Sequence, residues 1–162
     1  MDATSIRTTL GRFASGVTVV TTARGETGEV HGMTANAFTS VSLDPPLVLI
    51  SVSTSAKMDK RIEETGRYGI SVLSGEQKPL SLHFAGAAHE PDLVDFVWRD
   101  DLPLLDGALA HLTCSVRASY PAGDHTLHIG EIDGLWHRDG DPLVFFSGEL
   151  RSLDQPSAVS SR

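Results

Sequence analysis

Between residues 17 and 146 the chain repeatedly offers a short run of β-branched or apolar residues and then breaks off at glycine, proline or aspartate. That rhythm confines it to a β-rich architecture, because strands are short and favour β-branched side chains on a pleated surface. Residues 17–22, 30–38, 47–53, 68–73, 108–118, 125–137 and 143–146 read as strands. The run Leu47-Val48-Leu49-Ile50-Ser51-Val52-Ser53 follows Pro45-Pro46 and is nearly continuous in apolar residues, the pattern of a strand buried on both faces. Asp139-Gly140, between the last two strands, has the chemistry of a tight hairpin turn.

Helical spacing is brief. Residues 5–14 put Ile6, Leu10, Phe13 and Ala14 on one face, with Ser5 as the cap and Gly16 beyond the end. Residues 56–66 follow Ser53-Thr54-Ser55 and stop at Gly66; Met58 and Ile62 share one face, Lys57 and Arg61 another. Residues 77–84 read as a third short helix. With no repeat, heptad or second domain in view, the expectation is mainly β, with a few short helices. A sheet of this size gains by closing, since closure removes exposed edges. Residues 1–153 are expected to form one domain, and the serine-rich residues 154–162 a flexible tail.

Charge and cysteine content narrow the function. The net charge of −8 argues against broad binding to nucleic acid or acidic membranes, yet leaves room for one local anion site. The longest strongly apolar run is too short to span a bilayer, and the N-terminus carries no apolar signal core. A single cysteine, Cys114, allows no intrachain disulfide, which suits the cytoplasm.

Three segments carry possible chemistry. In the first, Ser53, Thr54 and Ser55 stand between an apolar strand and a helix whose first-turn N–H groups lack intrahelical partners. The helix dipole favours an anion there, and Lys57 and Arg61 add charge. Two readings are open: helix capping beside a solvated basic face, or a phosphate site. In the second, residues 32–40 mix small residues (Gly32, Ala35, Ala37) with polar Thr34, Asn36, Thr39 and Ser40. The stretch suits either a tight bend at a strand edge or a bed for a planar ring. In the third, an extended 123–132 segment turns Asp124, Thr126 and His128 one way and His125, Leu127 and Ile129 the other. His128 can then meet a ring or ribose edge, Asp124 can orient a donor, and His125 can face a dinucleotide.

Histidines are numerous (His83, His89, His111, His125, His128, His137), but they form no metalloprotease motif, and no metal site is expected. Cys114 sits inside a strand pattern and reads as packing. No Rossmann fingerprint and no Walker loop occurs.

Joined, these stretches are more specific than any one. Residues 12–21 (RFASGVTVVT), 32–48 (GMTANAFTSVSLDPPLV) and Gly123-Asp124-His125 with His128 and Gly130-Glu131-Ile132 resemble the flavin reductase-like family with an FMN-binding split barrel. The resemblance implies a homodimeric split β-barrel with the flavin near the subunit boundary. It implies hydride transfer from NADH or NADPH to FMN or FAD, and supply of reduced flavin to a separate monooxygenase. Thr34, Asn36 and Ala37 would surround the ring, Ser51 and Val52 would line the same region, Ser55 would mark the phosphate side, and Phe84 would cover the cofactor. Asp124, His125 and His128 would place flavin and nicotinamide, with His128 the candidate catalytic residue. Gly148-Glu149-Leu150 has leucine where the family often carries an aromatic residue. An enzyme that retains its flavin and reduces another acceptor, or a flavin-binding module without turnover, are the competing functions on the same fold.

Overall fold

The computed structural model describes residues 2–25 and 28–153, so residues 154–162, expected as a flexible tail, lie outside the described residues. In chain order the elements are α1 (Ala3–Leu10), β1 (Ser15–Gly16), β2 (Thr18–Arg24), β3 (Glu29–Ala35), β4 (Phe38–Leu43), β5 (Pro46–Ser53), α2 (Lys57–Thr65), β6 (Arg67–Val72), α3 (Lys78–Phe84), β7 (Phe96–Arg99), β8 (Leu102–Leu105), β9 (Ala110–Ala122), β10 (His125–His137), β11 (Leu143–Phe146) and β12 (Glu149–Ser152). Seven strands form an antiparallel sheet in the order β3-β2-β6-β9-β10-β5-β4; β1, β11 and β12 make a small second sheet, and β7 pairs with β8.

The mainly β expectation holds, but the barrel does not close. β3 and β4 are the two edges of the main sheet and share no ladder. They are also consecutive, separated only by Asn36 and Ala37. Ala35 and Phe38 therefore stand within ~11 Å of each other, the reach of three trans Cα steps, so the sheet curls until its edges meet at one corner. The Ser51 amide donates to the Ala37 carbonyl (3.1 Å), which draws the chain after the bend onto β5 while β3 stays on β2. The two rows of backbone groups that closure would join are thereby carried apart.

Apolar side chains occupy both faces of this curl. Val20, Val48, Ile50, Val52, Tyr68, Ile70 and Cys114 meet Met58 and Ile62 of α2 in one cluster. Val17, Val19, Leu73 and Leu105 meet Leu80 of α3 and Leu143 of β11 in the other. The Cys114 thiol is pushed up to about 12 by burial and, secondarily, by Asp133, which fits packing rather than nucleophilic chemistry.

Local departures from expectation have readable causes. The first helix runs only over Ala3–Leu10, and its cap is Asp2, whose carboxylate accepts from the Ser5 amide (2.9 Å). Its apolar face is not covered: Leu10 is 69% and Phe13 82% exposed. β5 is not buried on both faces; Val48, Ile50 and Val52 are buried while Leu47, Leu49, Ser51 and Ser53 are half-exposed, because only one face meets α2 and the core. Asp139-Gly140 does not form a hairpin, since β11 leaves β10 and pairs with β1 and β12. The β7–β8 hairpin, which the strand pattern did not include, turns without glycine; Asp100 and Asp101 take positive φ (48° and 62°).

Candidate functional site

The corner where the sheet edges meet gathers Thr34, Asn36, Ala37, Ser51 and Phe84. Thr34 and Ser51 alternate with core residues on their strands and so face away from the α2 cluster. The Thr34 hydroxyl donates to the Ser81 carbonyl of α3 (2.7 Å). Between them the bend leaves Asn36 and Ala37 exposed. Phe84, at the end of α3, lies over Gly32, where a Cβ would stand 2.5 Å from its ring. It forms one wall above β3. Val52 is fully buried and points into the core, so it can offer a ligand only its backbone.

Just beyond Ser51, where β5 ends, the Ser53 and Ser55 hydroxyls are 2.9 Å apart. Thr54 is tied to the turn before β10, its amide and hydroxyl both donating to the Asp124 carbonyl (3.0 and 3.2 Å). The expected side-chain cap on α2 is missing: the N-cap is Ala56, with no side-chain bond to the first turn. Of the first-turn N–H groups, that of Asp59 donates to the Ala56 carbonyl (3.1 Å), and no side chain among the described residues caps those of Lys57 and Met58, beside the Ser53 and Ser55 hydroxyls. Lys57 and Arg61 do share a face, as spacing required, but Glu29 of β3 engages both. Lys57 approaches it at 3.8 Å, and Arg61, itself buried, hydrogen-bonds it. The Arg61 hydrogen bond and charge hold the Glu29 carboxyl below the usual range. Lys57 is 60% exposed and at the helix start; Arg61 is a structural cation in this arrangement.

The 123–132 segment divides between turn and strand. Gly123, with φ 63°, and Asp124 form the two-residue turn between β9 and β10. Asp124 Oδ1 lies 2.7 Å from His125 Nδ1, and that bond and charge hold its carboxyl below the usual range. The contact fixes the imidazole and leaves Nε2 free to meet a ligand, with the side chain 43% exposed. His125 is paired across the ladder with Ser53, Leu127 with Ser51, and Ile129 with Leu49, so these form one continuous half-exposed shelf.

His128 lies on the opposite face. It is fully buried, with Nε2 2.8 Å from Asp59 Oδ1 and Nδ1 2.8 Å from Ser119 Oγ. The Thr126 hydroxyl donates to the second Asp59 oxygen (3.2 Å). The trio has the residue types of a hydrolase triad in the reverse sense, with Nδ1 rather than Nε2 meeting the serine. The structure brings Thr34, Asn36, Ala37, Ser51, Phe84, Asp124 and His125 to the shelf and its rim, with Ser55 and Lys57 at one end. His128, Val52 and Arg61 stand behind it. Sequence reasoning passed over Asp59 and Ser119. The available signal was parity: His128 pairs with core Ile50, so its imidazole had to find a buried partner.

Among the described residues, no cluster of three or more histidine, cysteine, aspartate or glutamate side chains could hold a metal, and no helix is long and apolar enough to cross a membrane.

An open antiparallel curl with a polar bend, a hydroxyl-lined helix start and a half-apolar shelf is the frame of a cofactor-handling protein. The flavin reductase like domain model matches residues 10–154, and the chain belongs to that family. An NADH-dependent flavin reductase from Rhodococcus sp is 69% identical over 150 residues, covering 92% of this chain and 85% of that one. Among solved structures, flavin reductase PheA2 in its native state superposes with a TM-score of 0.92 at 47% identity, covering 96% of this chain and all of that one. The Streptomyces globisporus NADH:FAD oxidoreductase SgcE6, in complex with NAD and FAD fragments, gives a TM-score of 0.86 at 38% identity, covering 99% of this chain and 96% of that one.

Proposed function

We propose that the shelf between β3, β5 and β10 holds a flavin and presents it to a reduced nicotinamide. The chain is an NAD(P)H-dependent flavin reductase that takes FMN or FAD and supplies the reduced flavin to a partner monooxygenase. The observation that carries the site is the uncapped start of α2 beside three hydroxyls, at one end of a half-apolar shelf whose other components are Asn36, Ala37 and His125. This donor set fits a flavin: the Lys57 and Met58 N–H groups with the Ser53 and Ser55 hydroxyls suit its phosphate, the small residues at the bend admit a flat ring, and Leu49, Leu127 and Ile129 offer apolar contact.

When bound, the flavin supplies the hydride acceptor and the nicotinamide the hydride. The protein contributes placement. Ser53, Ser55 and the first turn of α2 would hold the phosphate, with Thr54 tying that turn to the Asp124 carbonyl. Asn36 and the bend backbone bind the polar ring edge, and Phe84 closes one side. Asp124 sets the His125 imidazole so that Nε2 can hydrogen-bond the second ligand. No protein nucleophile is required, and buried Cys114 and His128 take no part in bond making.

Residues 1–153 act as one unit in this reading, as a homodimer in the cytoplasm. Support for the dimer comes from exposed large apolar side chains: Leu10 and Phe13, adjacent at the end of α1, are 69% and 82% exposed, and Leu43 is 94% exposed. The site itself is a shelf rather than a cavity, which a second copy would roof.

Anaerobic stopped-flow absorbance tests the function. Protein-dependent bleaching of the flavin, coupled to oxidation of NADH or NADPH, is expected. Binding of both ligands without faster bleaching would refute it.

A further inference from the structure

We infer that Asp59, His128 and Ser119 form a buried lock that registers the first turn of α2 against β10, and that Asp59 is a positioning residue for flavin phosphate. The inference rests on the phosphate reading above and names the device that sets the place of its donors.

Asp59 is the third residue of α2, in the turn whose N–H groups face Ser53–Ser55. An acidic side chain there ordinarily swings back onto its own helix start. Asp59 does the opposite. It is 7% exposed, and both of its oxygens are taken by β10: Oδ1 by His128 Nε2 at 2.8 Å, Oδ2 by the Thr126 hydroxyl at 3.2 Å. The carboxylate accepts both bonds, so Nε2 carries the proton and the tautomer is set for Nδ1 to meet Ser119 Oγ at 2.8 Å. A fully buried imidazole and a nearly buried carboxylate are retained only where each is paired, and here each satisfies the other.

Two consequences follow for the site. The helix start is left without a competing carboxylate on its N–H groups. The same contact also ties α2 to the strand whose opposite face carries His125, one residue before Thr126 and three before His128 along β10. The phosphate donors and His125, which stands directly across the ladder from Ser53, are therefore set by the same two buried bonds to Asp59. His128 acts here through Asp59, and Ser119, at the exposed end of the chain of bonds, fixes its ring.

The test compares dissociation constants for FMN and for riboflavin, which lacks the phosphate, in the wild type, Asp59→Asn and Ser119→Ala, by quenching of flavin fluorescence. Circular dichroism checks that each variant is folded. Asp59→Asn is expected to weaken FMN about tenfold while changing riboflavin little, the size of roughly one hydrogen bond to a charged group lost as the first turn shifts. Ser119→Ala should shift the FMN-to-riboflavin ratio in the same direction by less. Combining Asp59→Asn with Ser55→Ala should cost FMN less than the two losses multiplied, since both act on one phosphate. A merely structural Asp59 would lower stability and leave the ratio unmoved, which would overturn the inference; should Asp59→Asn fail to fold, an unmoved ratio in Ser119→Ala overturns it alone. If the wild type binds FMN no tighter than riboflavin, the phosphate reading itself falls and takes the lock with it.

Discussion

Replacing Gly32 by alanine isolates how the wall over the shelf is built. Gly32 has no positive φ, so alanine is allowed by the backbone, and in a strand it should gain about 0.5–1 kcal/mol from lost unfolded-state freedom. Sterics oppose this. The new Cβ would stand 2.5 and 2.6 Å from Phe84 Cε1 and Cδ1. Ordinary carbon contacts lie near 3.5–4.0 Å, so the ring has to retreat by about 1 Å. It is held from behind by Phe96, its centroid 6.4 Å away, and edge-on by His83 at 4.9 Å. Overpacking of this kind costs ~1–3 kcal/mol, which outweighs the backbone gain and leaves a net loss of about 1 kcal/mol. For a chain of this length that lowers Tm by roughly 2–4 °C. Phe84→Ala alone should cost about 2 kcal/mol, below the range for a fully buried ring because Phe84 is only half-buried. The decisive variant is the double one. With the ring gone, the Gly32→Ala methyl enters vacated space, so the pair should be no less stable than Phe84→Ala alone. Urea unfolding of the three variants measures this. Additive losses would refute the claim that Gly32 is kept small for Phe84.

Other outcomes follow from the same geometry. His125→Ala should raise KM for the nicotinamide several-fold with little change in flavin affinity, checked by steady-state kinetics with flavin titration alongside; an equal loss for flavin would remove His125 from the nicotinamide end. Burial holds the His111 imidazole below its ordinary 6.5, against the opposing hydrogen bond to the Leu105 carbonyl, and burial likewise lowers His31. Below 6.5 the unfolded chain takes protons that the folded one refuses, so stability is full above that value and falls as pH drops through it. The urea midpoint should be lower at pH 5.5 than at 7.5, and His111→Gln should flatten the slope; a midpoint that rises on acidification would contradict the burial argument. Phe13→Asp should convert a dimer to a monomer in light scattering, and an unchanged mass would exclude the α1 face from the interface.

Much of this was legible in the sequence because the relevant signal was local. The β-branched runs located the main strands, and Met58 with Ile62 oriented α2 correctly. Alternation along β10 separated Thr126 and His128 from His125, Leu127 and Ile129, as the ladder shows. What the alternation lacked was a direction. Which face was core depended on β5 and α2, so His128 was assigned to the ligand when its partner was Asp59. The run Leu47–Val52 looked two-sided because leucine tolerates the half-exposed face of a sheet, and hydropathy does not separate shelf from core. The Asp100-Asp101 hairpin escaped notice since its turn uses aspartate where glycine is the usual marker. Closure failed as an expectation because it concerns which edges pair at long range, and no single segment encodes that.

The two-residue link at Asn36–Ala37 has a consequence for how the protein can be cut. The bend that would take the ring edge, together with Leu49, Ser51 and Ser53, lies in the hairpins β2–β3 and β4–β5 on either side of that link. Yet these hairpins do not touch through a ladder, and the span between them is bridged only by β6, β9 and β10. A fragment ending before Ala110 would keep Asn36, Ala37, Ser53, Ser55 and Phe84 but lose His125, Leu127 and Ile129 together with the strands that set the spacing. Grafting this site onto another scaffold would therefore mean transplanting the far half of the molecule as well.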